Sequence, residues 1–343
     1  MVRPDQARRD AMETPRDDWN QEMTRFRQIT KQRLLWVFRL LVGLIVVVCL
    51  AYSVWKAAGE LSGTGLSLTQ IRLLPLLLAI GCYMVAMTLS GLFWYRVMWA
   101  TGCRPTLGKT MLAFFASQFG KYVPGKAMVV VIRTDLVRGP EVQAGVAAAT
   151  VFVETLTWIF VGSTIASLLL LIEFKDFVWL QWAAAGMMVS AGLLTWPPLF
   201  RWITGKLLKL ERANNPMIGL TLSVMMFGWF FLTVAWMLNG LSLWLVTASL
   251  PTAEAGFSWS DYRLCLASVS LATVAGFVSL LPGGLGVREL VMIPILGMSF
   301  GTVVAVIAAI LIRFVWLASE LLTSGIIYGY LHFSSPDKDL DPT

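Results

Sequence analysis

The chain has 343 residues, of which 57% are apolar and only 14% are charged. Soluble domains average about 45–50% apolar and about 25% charged residues, so this composition excludes an ordinary soluble protein and indicates a polytopic membrane protein. With a single histidine, His332, and four cysteines that form no CxxC pair, the chain also excludes a His-based triad and predicts no metal site. The net charge of +7 lies mainly in short loops, which indicates membrane topology and not nucleic-acid binding.

Three regions follow one another along the chain. Residues 1–33 carry eight basic and six acidic residues and are interpreted as a cytoplasmic tail. Residues 34–331 form one predicted transmembrane domain, and residues 332–343 a short cytoplasmic tail. Within the domain, apolar runs of about 20 residues predict full spans. These are Leu34–Trp55, Leu73–Met98, Ala144–Ile172, Val178–Phe200, Met217–Leu250 and Thr302–Tyr330.

Two further regions, about 106–138 and 262–300, have apolar runs interrupted by proline and glycine. In the first region, a helix of ten residues reaches only about 15 Å into a core about 30 Å thick, so neither arm crosses the membrane. We therefore predict two re-entrant helical hairpins. Their tips are Pro124 and Gly125 in the first, and Pro282, Gly283, Gly284 and Gly286 in the second. The predicted fold is all-α, with six full spans and these two hairpins.

Basic residues predict the orientation of the chain. With both termini in the cytoplasm, 18 lysines and arginines fall in predicted inside segments and 4 in outside segments, as the positive-inside rule requires. In this topology the hairpins enter from opposite sides of the membrane. Glu154 follows Pro124 by 30 residues and Arg313 follows Pro282 by 31, which indicates an inverted repeat. Interrupted segments at corresponding positions of inverted halves point to a transport site near the midplane.

Ionisable residues in apolar segments are the candidate site, because such groups are costly in hydrocarbon and mark functional pathways. The predicted substrate-binding residues are Lys121, Lys126, Glu154, Arg288, Glu289, Arg313 and Glu320. Glu154 is expected to pair with Arg288 or with a lysine of the first tip, while Arg313 and Glu320 are expected to face one cavity. The alternatives are structural ion pairs for the buried set and snorkelling of Lys121 and Lys126 to the interface.

Arg133 and Arg138 are expected at the cytoplasmic base of the first hairpin, in contact with anionic lipid head groups; an ordinary positive-inside loop is the alternative. The excess of cationic side chains near the tips favours a phosphate-bearing ligand, since exposed N–H groups and helix N-termini bind anions.

The motifs Gly120-Lys-Tyr-Val-Pro-Gly-Lys126 and Pro282-Gly-Gly-Leu-Gly-Val-Arg-Glu289 resemble the transmembrane, flippase-like region of lysylphosphatidylglycerol synthases and of related stand-alone membrane proteins. The resemblance covers about residues 35–330 and implies translocation of a lipid between leaflets. No soluble aminoacyl-transfer domain follows Tyr330, so synthase activity is not expected, and an aminoacylated substrate is in doubt. Glu154 stands where the family more usually has a basic residue, so the preferred substrate charge differs as well.

The resulting hypothesis is an inner-membrane lipid flippase without a cofactor, which moves a phosphate-bearing lipid of amino-modified, glycolipid, polyprenyl or hopanoid type. Its expected partners are membrane lipids with anionic head groups and, as a second class, a lipid-synthesis enzyme. No Walker motif is present, so the expected driving force of transport is an ion gradient, or the lipid equilibrates passively. Three alternatives stay open: an ion-coupled transporter of a small anion, a membrane-embedded lipid enzyme, and a non-transporting partner of a lipid-synthesis complex.

Overall fold

The computed structural model describes residues 70–122, 127–139, 142–173, 178–207, 216–251, 256–279, 281–284 and 286–334. Within these ranges the chain is helical and no β-strand occurs. The predicted N-terminal tail and the span Leu34–Trp55 lie outside the described residues. So do the tip residues Pro124, Gly125 and Lys126.

The α-helices are numbered here in chain order within the described ranges. They are α1 (Leu73–Ala100), α2 (Leu107–Ser117), α3 (Ala127–Leu136), α4 (Ala144–Glu173), α5 (Val178–Thr195), α6 (Pro197–Leu207), α7 (Leu222–Ala248), α8 (Trp259–Val278) and α9 (Val287–Ser334). Short 3-10 turns lie at Gln118–Tyr122, Pro216–Gly219 and Pro282–Gly284.

Five described helices are long and apolar enough to cross a membrane: α1, α4, α7, α8 and α9. The pair α5 and α6 raises this number to six if it is one span, but the two helices are bent by 65°. The predicted span Val178–Phe200 is thus bent near its end, and that α5 and α6 cross the membrane as one span stays a prediction. Pro197 and Pro198 explain the bend, because proline lacks the N–H needed to continue the preceding helix and clashes with its last turn. The protein is thus an all-α, multi-pass membrane protein.

The first interrupted region forms two short helices that pack against each other, α2 and α3. Their 11 and 10 residues correspond to about 16 and 15 Å, roughly half of a hydrocarbon core. A close approach at Gly120 holds the two arms together, since a Cβ there would lie 2.8 Å from the backbone nitrogen of Val129. Short arms of this kind were predicted from the sequence.

The second interrupted region joins α8 to α9 through the turn Pro282–Gly284. Gly283, Gly284 and Gly286 have φ angles of 59°, 68° and 79°, a region that only glycine adopts at low cost. Helix α9 is broken again at Gly301 (φ 76°), which separates the predicted arm from the predicted last span. Helix α8 begins at Trp259, three residues before the predicted start of this region, and its 20 residues are long enough to cross a membrane. That either hairpin is re-entrant therefore stays a prediction.

Contacts between helices bring the two interruptions together. Helix α1 packs along α7, and α4 packs against α5, α8 and α1. The turn Gln118–Tyr122 contacts the turn Pro282–Gly284, so the ends of the two interrupted regions meet. The space beside this meeting point is the candidate site.

Candidate functional site

A cavity of about 140 Å³ lies beside the two meeting turns, enough for about five water molecules at about 30 Å³ each. Seven helices and both turns contribute to its wall, which is partly open to the protein surface. Among the described residues its charged lining is Lys121, Arg133, Glu154 and Arg288. Aromatic side chains, including Trp158, complete the wall. A charged pocket surrounded by membrane-spanning helices is typical of a substrate pathway.

Arg133 on α3 forms a buried ion pair with Glu154 on α4. The guanidinium Nη1 lies 2.6 Å from Glu154 Oε2, and Nε donates to Ser117 Oγ at 2.9 Å. The ring of Phe114 lies under the guanidinium at 4.3 Å, within the range of a cation–π contact. Arg133 is 3% exposed, so the expectation that it contacts lipid head groups is wrong. Glu154 pairs with Arg133 and, among the described residues, with neither Arg288 nor Lys121; the other tip lysine, Lys126, lies outside the described residues.

The reason for the wrong expectation about Arg133 is the length of α3. The helix does not end before Arg133 but continues through Leu136, so Arg133 is a helical residue that faces inward. Val129 and Arg133, four residues apart, both line the cavity. This i,i+4 spacing was the available sequence signal. Arg138, by contrast, is exposed and lies 3.5 Å from the exposed Asp135, so its contact with lipid stays a prediction.

Glu289 and Arg313 form the corresponding pair of the second interrupted region. Arg313 Nε lies 2.5 Å from Glu289 Oε1, and Nη2 donates to Oε2 at 2.8 Å, a bidentate arrangement that fixes both side chains. The backbone N–H of Gly286 donates to Glu289 Oε2 at 3.0 Å. The pair therefore ties the glycine-rich turn and the start of α9 to the later part of the same helix.

The two pairs are related with their charges reversed. In each region, a residue on the second arm pairs with a residue on the following long helix: Arg133 with Glu154, and Glu289 with Arg313. The arm carries the cation in the first case and the carboxylate in the second. This correspondence agrees with the predicted repeat and gives each pair a role in holding its own arm in place.

Arg288 reaches the cavity through a gap between two glycines. A Cβ at Gly276 would lie 2.7 Å from Arg288 Cγ, and a Cβ at Gly284 would lie 2.8 Å from its Nε. The guanidinium carbon lies 5.0 Å from the centroid of the Trp316 ring. Both glycines are thus needed to seat this arginine. Sequence reasoning assigned Gly284 to a turn only and missed Gly276 and Trp316.

Glu320 is the most deeply buried carboxylate of the described site, with no solvent exposure. It forms an ion pair with Lys121 of the first turn, and Tyr83 of α1 donates to its Oε1 at 3.2 Å. Arg313 and Glu320 do not line this cavity in the described part of the chain, so their facing a common cavity stays a prediction. Tyr83 was not predicted, because nothing local marks a tyrosine in an apolar helix as a hydrogen-bond donor.

The described part of this cluster has four cationic side chains and three carboxylates, and so a formal charge of +1. The cations are Lys121, Arg133, Arg288 and Arg313; the carboxylates are Glu154, Glu289 and Glu320. An excess positive charge inside an apolar bundle favours an anionic ligand. These features define a multi-pass helical membrane protein with a buried, positively charged polar site.

The sequence matches the family described as the lysylphosphatidylglycerol synthase TM region over residues 36–322, and the chain belongs to this family. The suspected resemblance is therefore confirmed, and it extends over most of the chain. The match concerns the transmembrane region of those synthases and not their catalytic domain, which relates the protein to lipid modification or transport. No curated protein matches the chain at a significant level.

Proposed function

We propose that the protein is a flippase that moves a phosphate-bearing lipid between leaflets, with its head group passing through the cavity beside the two turns. The observation that carries this proposal is the net positive cluster around a cavity where two interrupted helical regions meet inside a membrane-spanning bundle. A phospholipid is the anion that the surrounding membrane supplies in quantity. We also propose that both termini face the cytoplasm, which the positive-inside bias of the sequence supports, and that the membrane is the inner membrane.

The position of each site residue suggests its role in this proposal. Arg288 and Lys121 line the cavity and would contact phosphate oxygens, Arg288 with the planar donors suited to them. Glu154 and Glu289 hold Arg133 and Arg313 and thereby fix the shape of the wall. Lys126, at the first tip, is assigned to the same anion path from its place in the sequence alone. Alternating access would come from movement of one inverted half against the other.

The test is lipid movement in proteoliposomes that contain the purified full-length chain and a trace of NBD-labelled phosphatidylglycerol. Dithionite bleaches only the outer-leaflet label, so a larger bleached fraction than in empty vesicles reports translocation. We expect Arg288→Ala to lower the initial rate about tenfold or more, because a hydrogen bond to a charged group contributes about 1.5–3 kcal/mol.

Arg104→Ala is the matched control. Arg104 lies 5.4 Å from the ring centroid of Trp99, a contact like that of Arg288 with Trp316, but it is exposed and outside the cavity. Its rate should equal that of the native protein. Equal rates for Arg288→Ala and native protein would show that Arg288 does not contact the lipid phosphate during transport. Absence of lipid movement in native protein, with uptake of a small anion instead, would replace the flippase by the anion transporter.

A further inference from the structure

The three ion pairs of the site do not join the same parts of the molecule. Arg133 with Glu154, and Glu289 with Arg313, each connect an arm to the long helix that follows it. We call the first interrupted region together with α4 the first unit, and the second interrupted region together with the rest of α9 the second unit. Glu320 belongs to the second unit, on the later part of α9. Both of its partners, Lys121 and Tyr83, come from the first unit and the span before it. Of these three ion pairs, only Lys121 with Glu320 joins the two units, which also touch where α4 packs against α8.

Glu320 is isolated from solvent and lies against few polar groups. The side chain has no solvent exposure, and its Oε2 has no hydrogen-bond partner among the described residues. In its ionised form the carboxylate is stabilised by Lys121 and Tyr83, which both contact Oε1. A buried carboxylate without a cation binds a proton, because burial disfavours its charged form.

The other charged groups around Glu320 agree with this role. Arg288 and Arg313 lie on the same helix, close enough to Lys121 to repel its ammonium group. Helix α7 contains no titratable residue. Helix α2 contributes only Lys109, at the end of the arm remote from Lys121. The titratable residues of α8, from Asp261 to Cys265, all lie in its first two turns.

Lys121 is the link to the substrate, because it both pairs with Glu320 and lines the cavity. A phosphate oxygen in the cavity and the carboxylate of Glu320 would compete for the same ammonium group. When Glu320 takes up a proton it becomes a neutral acid, and Lys121 keeps its charge for the phosphate. When the phosphate leaves, Glu320 gives up the proton and binds Lys121 again.

We propose that Glu320 is the proton-binding site of a proton-coupled transport cycle, in which its ion pair with Lys121 is the contact between the two units that opens. This inference rests on the proposed lipid translocation and names its energy source. One proton moved per lipid makes a gradient of about one pH unit shift the equilibrium leaflet ratio of the lipid about tenfold.

The experiment uses the same proteoliposomes with and without an imposed pH gradient, the membrane potential being clamped by potassium and valinomycin. We expect the final leaflet ratio of NBD-labelled phosphatidylglycerol to shift with the gradient for native protein and to be indifferent to it for Glu320→Gln. Asp261→Asn is the control. Asp261 also accepts a hydrogen bond between two helices, from Ser299 Oγ at 2.8 Å, but it does not line the cavity, so its response should be native.

A second measurement does not depend on lipid movement. Infrared difference spectra of the purified protein between neutral and acidic buffer should contain the C=O stretch of a buried protonated carboxyl group, and Glu320→Gln should remove it.

Each outcome decides between the two proposals. If native protein moves lipid but the final leaflet ratio does not change with the pH gradient, the proton coupling is refuted and the flippase proposal still holds. A gradient response that persists in Glu320→Gln would also overturn it. If native protein moves no lipid, the flippase proposal fails, and the absence of the infrared band in native protein would remove Glu320 as a proton site independently.

Discussion

The buried pair of Arg133 and Glu154 gives the most direct test of the site geometry. Glu154→Leu removes the carboxylate 2.6 Å from Arg133 Nη1 and leaves a guanidinium that is 3% exposed. Removing one partner of a buried pair costs about 3–5 kcal/mol, because the remaining charge lacks compensation. Ser117 and the ring of Phe114 still contact the guanidinium, so the lower half of that range is expected.

The double variant Arg133→Met/Glu154→Leu separates charge from packing. Apolar residues of similar volume often replace a buried ion pair with little loss, so we expect the double variant to regain most of the stability that Glu154→Leu loses. Asp135→Ala is the control within the same region. Its pair with Arg138 is 3.5 Å long with both side chains about two-thirds exposed, and such pairs contribute about 0–1 kcal/mol.

The assay is unfolding of the purified protein in mixed micelles with increasing SDS, followed by far-UV circular dichroism and by tryptophan fluorescence. The expected order of stability is native, Asp135→Ala, the double variant, and Glu154→Leu last. A Glu154→Leu protein as stable as Asp135→Ala would refute the buried pair. A double variant no more stable than the single one would show that packing, and not the unpaired charge, causes the loss.

Two further predictions concern single sites. Gly276→Ala places a Cβ 2.7 Å from Arg288 Cγ, so it should lower the free energy of unfolding by about 1–3 kcal/mol through overpacking and should also slow lipid movement. Gly81→Ala is the control, since a Cβ there has no atom within 4 Å, and it should change neither the stability nor the rate. A native rate for Gly276→Ala would contradict the placement of Arg288 between the two glycines. Burial raises the pKa of the Cys103 thiol, against opposing hydrogen bonds to Gln143 and Thr101, so the thiol is protonated at neutral pH. A variant with Cys103 as its only cysteine should resist maleimide until it is denatured, and fast labelling of the folded protein would show that the site is open.

Local rules were sufficient for the class of protein and for the positions of the helix breaks. Apolar runs of about 20 residues predicted most of the described spans. Pro282 with Gly283, Gly284 and Gly286 predicted the turn before α9, where three glycines have positive φ. These features follow from hydrocarbon thickness and from backbone sterics, which depend on nearby residues only. The bend before Pro197 has an equally local cause, although the predicted span Val178–Phe200 did not include it.

The sequence by itself determined which charges the apolar segments contain, but only the tertiary structure decided which of them meet. Glu154 lies 21 residues from its partner Arg133, and Glu320 lies 199 residues from Lys121. Such pairs depend on how the helices pack and rotate. Because α3 continues past Arg133 to Leu136, this arginine faces the site and not the membrane surface. The same packing makes Gly276 a seat for Arg288. Whether a side chain on a helix faces the site or the lipid is decided only when the neighbouring helices pack against it.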